Sequence, residues 1–534
     1  MFFSSCCWKR FRLSYFVLSA CLAVGQSVWA NEESQAVLRF RLTAEPATLD
    51  WNLAHTSHET HVIMNLMEGL IEYGPDLTPV PALAERWEIS PDGKTYHFYL
   101  RSGVQWSDGR VLRAQDFVDS WLRLLSPKTR SSYANFLFDV ENAKEFHDGK
   151  MTQASKVGVR AIDDKHLEVK LTRRVPYFIH LPTFWVTFPI RLDLIAKYRT
   201  SWAEPRKLVT LGPYLLKSWK KGSAIRLEQN PVYYKKAGFH GPVSVDAVIE
   251  LKDASARDRF SRGEFDFLLD PTTEDLLMAR QNPGSGLHAE QYPYLATFYL
   301  GMNTKSRELN KALIRRALSA GIEREGIPAL LQGGQTVAKS WLPPGIPGHS
   351  SDRKSEMTLL DAKAILAKEG YVEGKGFPRL TLLVEKFDGA EALAEYIKKS
   401  FFENLGIKVE PKIGSPKSHQ AALKKGAFTL FVGHWGADYP DPANFFEVFS
   451  SGSGTNYSGW SDSEFDALME KGRSTSDQDA RLAAYARAEK ILLDSDAVIV
   501  PLFYKKNTVL LGKRVKSFEI SPLNYFFLKK LVMQ

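Results

Sequence analysis

AERWEISPDGKTYHFYLRSGVQWSDGRVLRAQDFVDSWLRLLSP, residues 84–127, is the stretch whose reading decides the fold. Its turns, Pro91-Asp92-Gly93 and Ser107-Asp108-Gly109, bracket a run in which Tyr96, Phe98 and Leu100 alternate with other residues. Period-two alternation between turn signals predicts a half-buried strand in a hairpin-like block. DFVDSWLRLL, residues 116–125, then switches to helical spacing and stops ahead of Pro127. Proline ends it because it lacks an amide and crowds the preceding turn.

The same mixture extends on both sides. VLRFRL, 37–42, alternates like a first strand. From about Glu59 a helix is expected in which Ile63, Leu66, Met67, Leu70 and Ile71 share one face. DDKHLEVKL, 163–171, reads as a strand, whereas VPYFIHLPTFWVTFPI, 175–190, is apolar but broken by three prolines. GPYLLKSWKKGSAIRLEQNPVYY, 212–234, reads as paired strands, and 245–269 as strand, helix, strand. From about Tyr292 the units alternate: strand 296–304, helix 310–321, helix 361–371 closed by Gly370, strand 379–385, helix 390–406. Ser461 and Glu464 form a capping-box pattern for one more helix. Alternating strands and helices argue for α/β layers with partly parallel sheets.

The chain has 534 residues, 25% charged and 44% hydrophobic, enough for several domain-sized lobes. Residues 1–30 differ from the rest. A short basic region, MFFSSCCWKRFR, precedes the apolar LSYFVLSACLAV and the small residues of SVWA, which reads as a signal peptide cleaved after Ala30. LSAC, 18–21, is a weaker competing signal that would put a lipid on Cys21. Cys6, Cys7 and Cys21, all the cysteines of the chain, lie in this leader. A product starting at Asn31 would have no disulfide, thiolate metal site or cysteine nucleophile. Without the three basic residues of the leader, the net charge falls from +9 to +6, spread as short lysine pairs. That is a solvated surface rather than a nucleic-acid footprint.

No phosphate loop, GxSxG elbow or HExxH occurs. HTSHETH, 55–61, is the one ligand-type cluster. On a helix, His55, His58 and His61 spread over roughly a third of the circumference, so two could share a metal. The ordinary explanation is a polar loop running into a helix N-terminus. GHWGADYPDPANFF, 433–446, sets two acids among rings and prolines. Asp441 precedes Pro442 and suits an N-cap with proline at the first helical position. Asp438 has no such role; beside Trp435 and Tyr439 it either cradles a cation or sits paired in a core.

Together these blocks resemble the family 5 extracytoplasmic solute-binding proteins, the peptide- and nickel-binding components of ABC importers. The resemblance starts in residues 84–127. It continues through LGPYLLKSW, LEQNPVYY, FYLGMNTK, IRRALSAGIERE, WGADYPDP and YARAEKILLDSDAVIVPLFY, in family order over 37–534. ADYPDP is similar to the oligopeptide-binding branch.

The resemblance implies an α/β, periplasmic-binding-protein-like type II clamp: two main α/β lobes plus an extra inserted lobe. The expected division is lobe I in 31–61, 187–292 and 507–534, lobe II in 62–186 and lobe III in 293–506. It implies an extended oligopeptide held as an added strand, delivery to the transmembrane subunits of an ABC permease, a monomer, a periplasmic location, and neither catalysis nor a cofactor. Asp438 would grip the ligand's α-ammonium. The backbones of His434, Trp435 and Gly436 would form one adjoining strand, and those of His55, Thr56 and Ser57 the other, with Tyr133 lining the cleft. Val432 stands where tripeptide-to-pentapeptide binders of the family carry an arginine for the ligand's carboxylate; Lys424, Lys425 or His434 are candidate substitutes. The alternatives are a metal-chelate or haem carrier built on His55 and its neighbours, a dipeptide-specific binder, and a hydrolase using Asp438 with Asp441.

Overall fold

A computed structural model describes residues 37–281, 287–354 and 356–534. The expected signal peptide, Cys21 and the Ala30 cleavage point lie outside the described residues. Ten strands carry the architecture: β1 (Leu38–Leu42), β2 (Tyr214–Lys220), β3 (Ala224–Gln229), β4 (Ser244–Ile249), β5 (Phe267–Leu269), β6 (His288–Met302), β7 (Leu380–Glu385), β8 (Val409–Gly414), β9 (Leu430–Gly436) and β10 (Ile499–Leu511). They hydrogen-bond in the order β8-β7-β9-β6-β10-β5-β1-β4-β3-β2, with the short Thr336–Val337 paired to β10. β1 runs parallel to β4 and β5, and β7 parallel to β8 and β9; the remaining pairs are antiparallel. The fold is mixed α/β.

β6 and β10 are the longest strands, and both pass through the middle of this sheet. At one end of the pair, Val509–Leu511 of β10 lies between β5 and His288–Glu290 of β6. At the other end, Thr297–Gly301 of β6 lies between β10 and β9. The two strands therefore tie the halves of the molecule together. Apolar residues pack on each side: a large core around Phe40, Trp51, Trp121 and Trp202, and a separate one around Leu382, Ile397, Phe401 and Leu502.

The opening block forms as its pattern requires. Thr95–Leu100 is a strand with Tyr96, Phe98 and Leu100 buried, in a four-stranded antiparallel sheet with Ala84–Ile89, His166–Lys170 and Val159–Ala161. The helix after it spans Ala114–Leu125 and buries Phe117, Trp121, Leu124 and Leu125. The proline-broken stretch forms two short 3-10 turns, Phe178–Thr183 and Trp185–Thr187.

Two expectations need correction. The helix over HTSHETH spans Ser57–Leu66 and does not reach Ile71. Met67 is extended and Ile71–Tyr73 is a strand, because the chain must turn where Gly69 meets the wall opposite. A Cβ at Gly69 would lie 2.4 Å from the Pro182 carbonyl oxygen and 2.8 Å from the Phe188 ring. The later helix starts at Ser463 and is capped by Asp462, whose carboxylate accepts from the Phe465 amide at 2.7 Å. Ser461 is not its cap: carboxylates and hydroxyls cap comparably well, and the register of the buried Phe465 and Met469 selects the residue one step later.

Gly69→Ala should destabilise the protein by about 2–3 kcal/mol through forced separation of these elements, read as a lower urea midpoint at unchanged m-value.

Candidate functional site

β9 has an open edge. Along one side, Leu430–Gly436 pairs with Met302–Ala296 of β6. Along the other, β7 covers only Leu430 and Phe431. Beyond the strand end, the Ala437 amide donates to Leu295 O at 2.8 Å. Backbone direction alternates along a strand, so Ala437 and Trp435 face β6 while His434 and Gly436 turn their N–H and C=O toward the uncovered edge. Trp435 contributes its side chain instead: its Nε1 donates to Asn444 Oδ1 at 3.1 Å.

Asn444 also sets Asp438. Its Oδ1 accepts from the Asp438 amide at 3.0 Å, and its Nδ2 donates to Asp438 Oδ2 at 3.3 Å. Among the described residues Asp438 has no cationic partner. Burial, opposed by that hydrogen bond and helped by the Glu447 carboxylate, pushes its carboxyl up to about 7. Asp441, three residues on, is satisfied. It caps Pro442–Phe446 by accepting from the Ala443 amide, and both its oxygens pair with Arg481 Nη2 at 2.5 and 2.6 Å. The cap follows from the sequence; the Arg481 partner does not.

Three tyrosine hydroxyls lie in the field of Asp438. Burial first, and then Asp438, raises Tyr133 and Tyr525; burial also raises Tyr294, opposed by the Lys505 charge and aided by Asp270 and then Asp438. Tyr133 also feels Glu59, which belongs to the His55–Ser57 side. Its ring packs on Phe136, Phe184 and Trp185 with centroids 5.2, 5.2 and 5.5 Å away. Tyr294, in the irregular part of β6, reaches across to Gly436, where a Cβ would lie 2.7 Å from its hydroxyl. Tyr294, Tyr525 and Trp185 carry no signature in the sequence; long-range folding alone brings them here. Tyr439 stacks on Tyr177 at 5.1 Å and meets Phe136 edge-on, while Arg173 pairs with Glu470, so the two walls touch beside Asp438.

On the facing wall the buried Glu59 occupies much of the backbone. Its Oε2 accepts from the amides of His55 and Thr56 at 2.7 and 2.9 Å and from Thr56 Oγ1 at 3.0 Å. The Thr56 carbonyl accepts from the Glu59 and Thr60 amides. Among the described residues, the His55 carbonyl and the Ser57 amide are left.

The three histidines do not converge. His55 Nδ1 lies 3.3 Å from Leu53 O, His58 Nε2 shares a 2.7 Å hydrogen bond with Thr43 Oγ1, and Asn524 O accepts from His61 Nε2 at 3.1 Å. Among the described residues no group of three or more His, Cys, Asp or Glu is placed to hold a metal ion. His434 stacks on Phe298 at 4.9 Å and keeps its outer face accessible; burial, then the Lys505 charge, pushes its pKa down to about 4. A neutral His434 is a poor substitute for the absent arginine. Val432 is buried in the second core, and Lys424 and Lys425 end the exposed C-terminus of the helix Pro416–Lys425, ahead of β9. From the start of β9 to Gly436 is roughly 20 Å at about 3.3 Å per residue, so both lysines stand far from Asp438.

Comparison with known proteins follows this geometry. The sequence model of the bacterial extracellular solute-binding proteins, family 5 Middle, matches residues 78–457. The periplasmic oligopeptide-binding protein OppA of Escherichia coli is 30% identical over 526 residues, 94% of each chain. A probable deoxycholate-binding periplasmic protein, YgiS, of the same organism is 30% identical over 509 residues, again 94% of each. Among solved structures, the E. coli murein tripeptide binding protein MppA superposes with a TM-score of 0.80 at 27% identity, covering 93% of this chain and 98% of that one. Haemophilus influenzae OppA in complex with RPPGFSPFR gives 0.79 at 26% identity, covering 94% and 99%. The architecture is the type II periplasmic-binding-protein clamp of those structures.

An acid held protonated by burial costs the folded state stability as pH rises from its unfolded value, near 4, to about 7. Asp438→Asn should therefore stabilise the ligand-free protein. Its advantage should grow across that window and level off above it, reaching about 2 kcal/mol after discounting for partial exposure. Urea unfolding of both proteins at pH 4.5 and 8 reads the difference.

Proposed function

The chain belongs to the bacterial extracellular solute-binding proteins of family 5, and on that premise we propose that it captures oligopeptides in extended form and delivers them to an ABC permease. The observation that carries this reading is Asp438, a half-buried carboxylate with no cationic partner among the described residues, just beyond an open strand edge. A peptide's α-ammonium supplies the missing charge, and its backbone completes the edge. The available groups are those of His434 and Gly436 on one side, and the His55 carbonyl and Ser57 amide on the other. Thr56 then acts by holding Glu59, Trp435 by holding Asn444, and Tyr133 by lining the space between.

Backbone recognition leaves side chains to water-padded space, which suits a carrier of many peptides. The lobe division expected from the sequence, with 62–186 inserted between two stretches of lobe I, is adopted for this clamp. The protein works as a monomer in the periplasm, exported by residues 1–30, without catalysis, cofactor or nucleic acid. Asp441 supports the non-enzymatic reading, since Arg481 occupies the second carboxylate a hydrolase would need. The relative named for deoxycholate raises a second reading. A bile acid carries a carboxylate and no ammonium, and would leave Asp438 unpaired.

Calorimetry with short peptides tests both readings. Asp438→Asn should weaken peptide binding by about 3 kcal/mol, roughly a hundredfold, and N-acetylated peptides should bind as poorly to the wild type. Unchanged affinity in Asp438→Asn, or tight deoxycholate binding without peptide binding, overturns the peptide reading.

The free site must lose its proton before an ammonium can pair with it. Affinity should therefore fall as pH drops below about 7, approaching tenfold per unit, with no such slope in Asp438→Asn. A flat wild-type profile between pH 5 and 8 would refute the pairing.

A further inference from the structure

The outer face of the four-stranded sheet carries a pair of histidines. Tyr96 and Phe98 of Thr95–Leu100, with Leu167 and Val169 of His166–Lys170, turn into the core. Side chains alternate along a strand, so His97, Tyr99, His166 and Glu168 share the opposite face. The register sets Tyr99 against His166 and His97 against Glu168. His97 and His166 are therefore diagonal neighbours, a separation that aromatic and long side chains bridge. The two rings meet edge to edge, with centroids 5.1 Å apart and planes inclined by 51°. His97 Nδ1 lies 3.0 Å from His166 Nε2.

Packing holds this arrangement. His166 stacks on Tyr99 at 4.7 Å, and the Arg86 guanidinium lies over the same tyrosine ring at 3.5 Å. The Tyr99 hydroxyl donates to Glu88 Oε2 at 3.2 Å. Both carboxylates of this face are engaged, Glu88 by Arg86 and Glu168 by Arg160 Nε at 2.8 Å. The far ring nitrogens, His97 Nε2 and His166 Nδ1, have no protein partner among the described residues and are not sealed from solvent. They can carry the imidazole protons with water as acceptor. Each ring then keeps a lone pair on the nitrogen that faces the other ring.

We propose that His97 and His166 bind a divalent transition-metal ion, copper(II) or zinc(II), through Nδ1 and Nε2. Two nitrogens about 2.0–2.1 Å from one ion stand roughly 2.9 Å apart at a right angle and roughly 3.4 Å apart at a tetrahedral one. The observed 3.0 Å lies between these limits. Imidazole suits both metals, and the Irving–Williams order puts copper(II) first. Among the described residues no third His, Cys, Asp or Glu is grouped with the pair, so water completes the coordination. The ion would bridge two strands of a sheet separate from the one that carries β9, and the assignment does not rest on the peptide reading.

Calorimetry of tag-free protein with copper(II) and zinc(II) tests this against His97→Gln, His166→Gln and the double variant. One equivalent of either metal should bind the wild type about tenfold more tightly than it binds each single variant. Zinc(II) should raise the melting temperature of the wild type and leave that of the double variant unchanged. Electron paramagnetic resonance of the copper(II) form should show two nitrogen ligands, a readout that needs no variant to fold. Equal metal affinity in the wild type and the double variant overturns the assignment. A copper spectrum with a single nitrogen ligand, or no metal binding by the wild type, overturns it too.

Discussion

The antiparallel pair β6 and β10 is the constraint on which the rest of the structure depends. Two strands pass continuously from one half of the sheet to the other, so the halves share a backbone ladder as well as side-chain contacts. A continuous ladder would leave no room for a cleft at the crossing. The interruption between Pro293 and Thr297 spends three residues there and sends Tyr294 across to Gly436. It also leaves Lys505 without a paired neighbour. Bulges of this kind re-aim side chains where a sheet meets a site. Gly436 fits the same approach, since a Cβ there would lie 2.7 Å from the tyrosine hydroxyl.

Electrostatics then divides the two acids of GHWGADYPDPANFF. Asp441 has an arginine and a helix cap; Asp438 has one amide donor and a ring of tyrosines. Leaving one of them uncompensated lowers stability, and a protein selected for stability alone would pair it or replace it. On the proposed reading, the unpaired charge is what attracts a cation arriving from solution. Tyr439, the next residue, stacks on Tyr177 of the facing wall. Asp438 is thus covalently adjacent to the contact that joins the walls.

Much of the fold was legible in the sequence because local patterns and tertiary packing agree there. The alternation at Tyr96, Phe98 and Leu100, the stop at Pro127 and the αL glycines at 370 and 406 each appear in the structure as their chemistry requires. The misreadings occurred where packing overrides pattern. The apolar periodicity of residues 62–73 continues past Leu66, but Gly69 must fit against Pro182. At the candidate site, Asp438 and Tyr133 were legible through motif resemblance. Tyr294 and Tyr525 were not: they arrive through a bulge and long-range folding, which no short window of sequence records.

On the proposed reading, Glu59 explains how the site reads a backbone without a fixed side-chain code. One buried carboxylate gathers the amides of His55 and Thr56 and fixes the turn that opens the helix Ser57–Leu66. In doing so it removes donors that would otherwise compete for a ligand, and leaves one carbonyl and one amide at alternate residues. That is the spacing at which an extended chain presents its own groups along one edge. On β9 the free groups of His434 and Gly436 also stand at alternate residues. A chain lying between two such edges is specified by its direction and its charged ends, and its side chains emerge into space that neither edge controls.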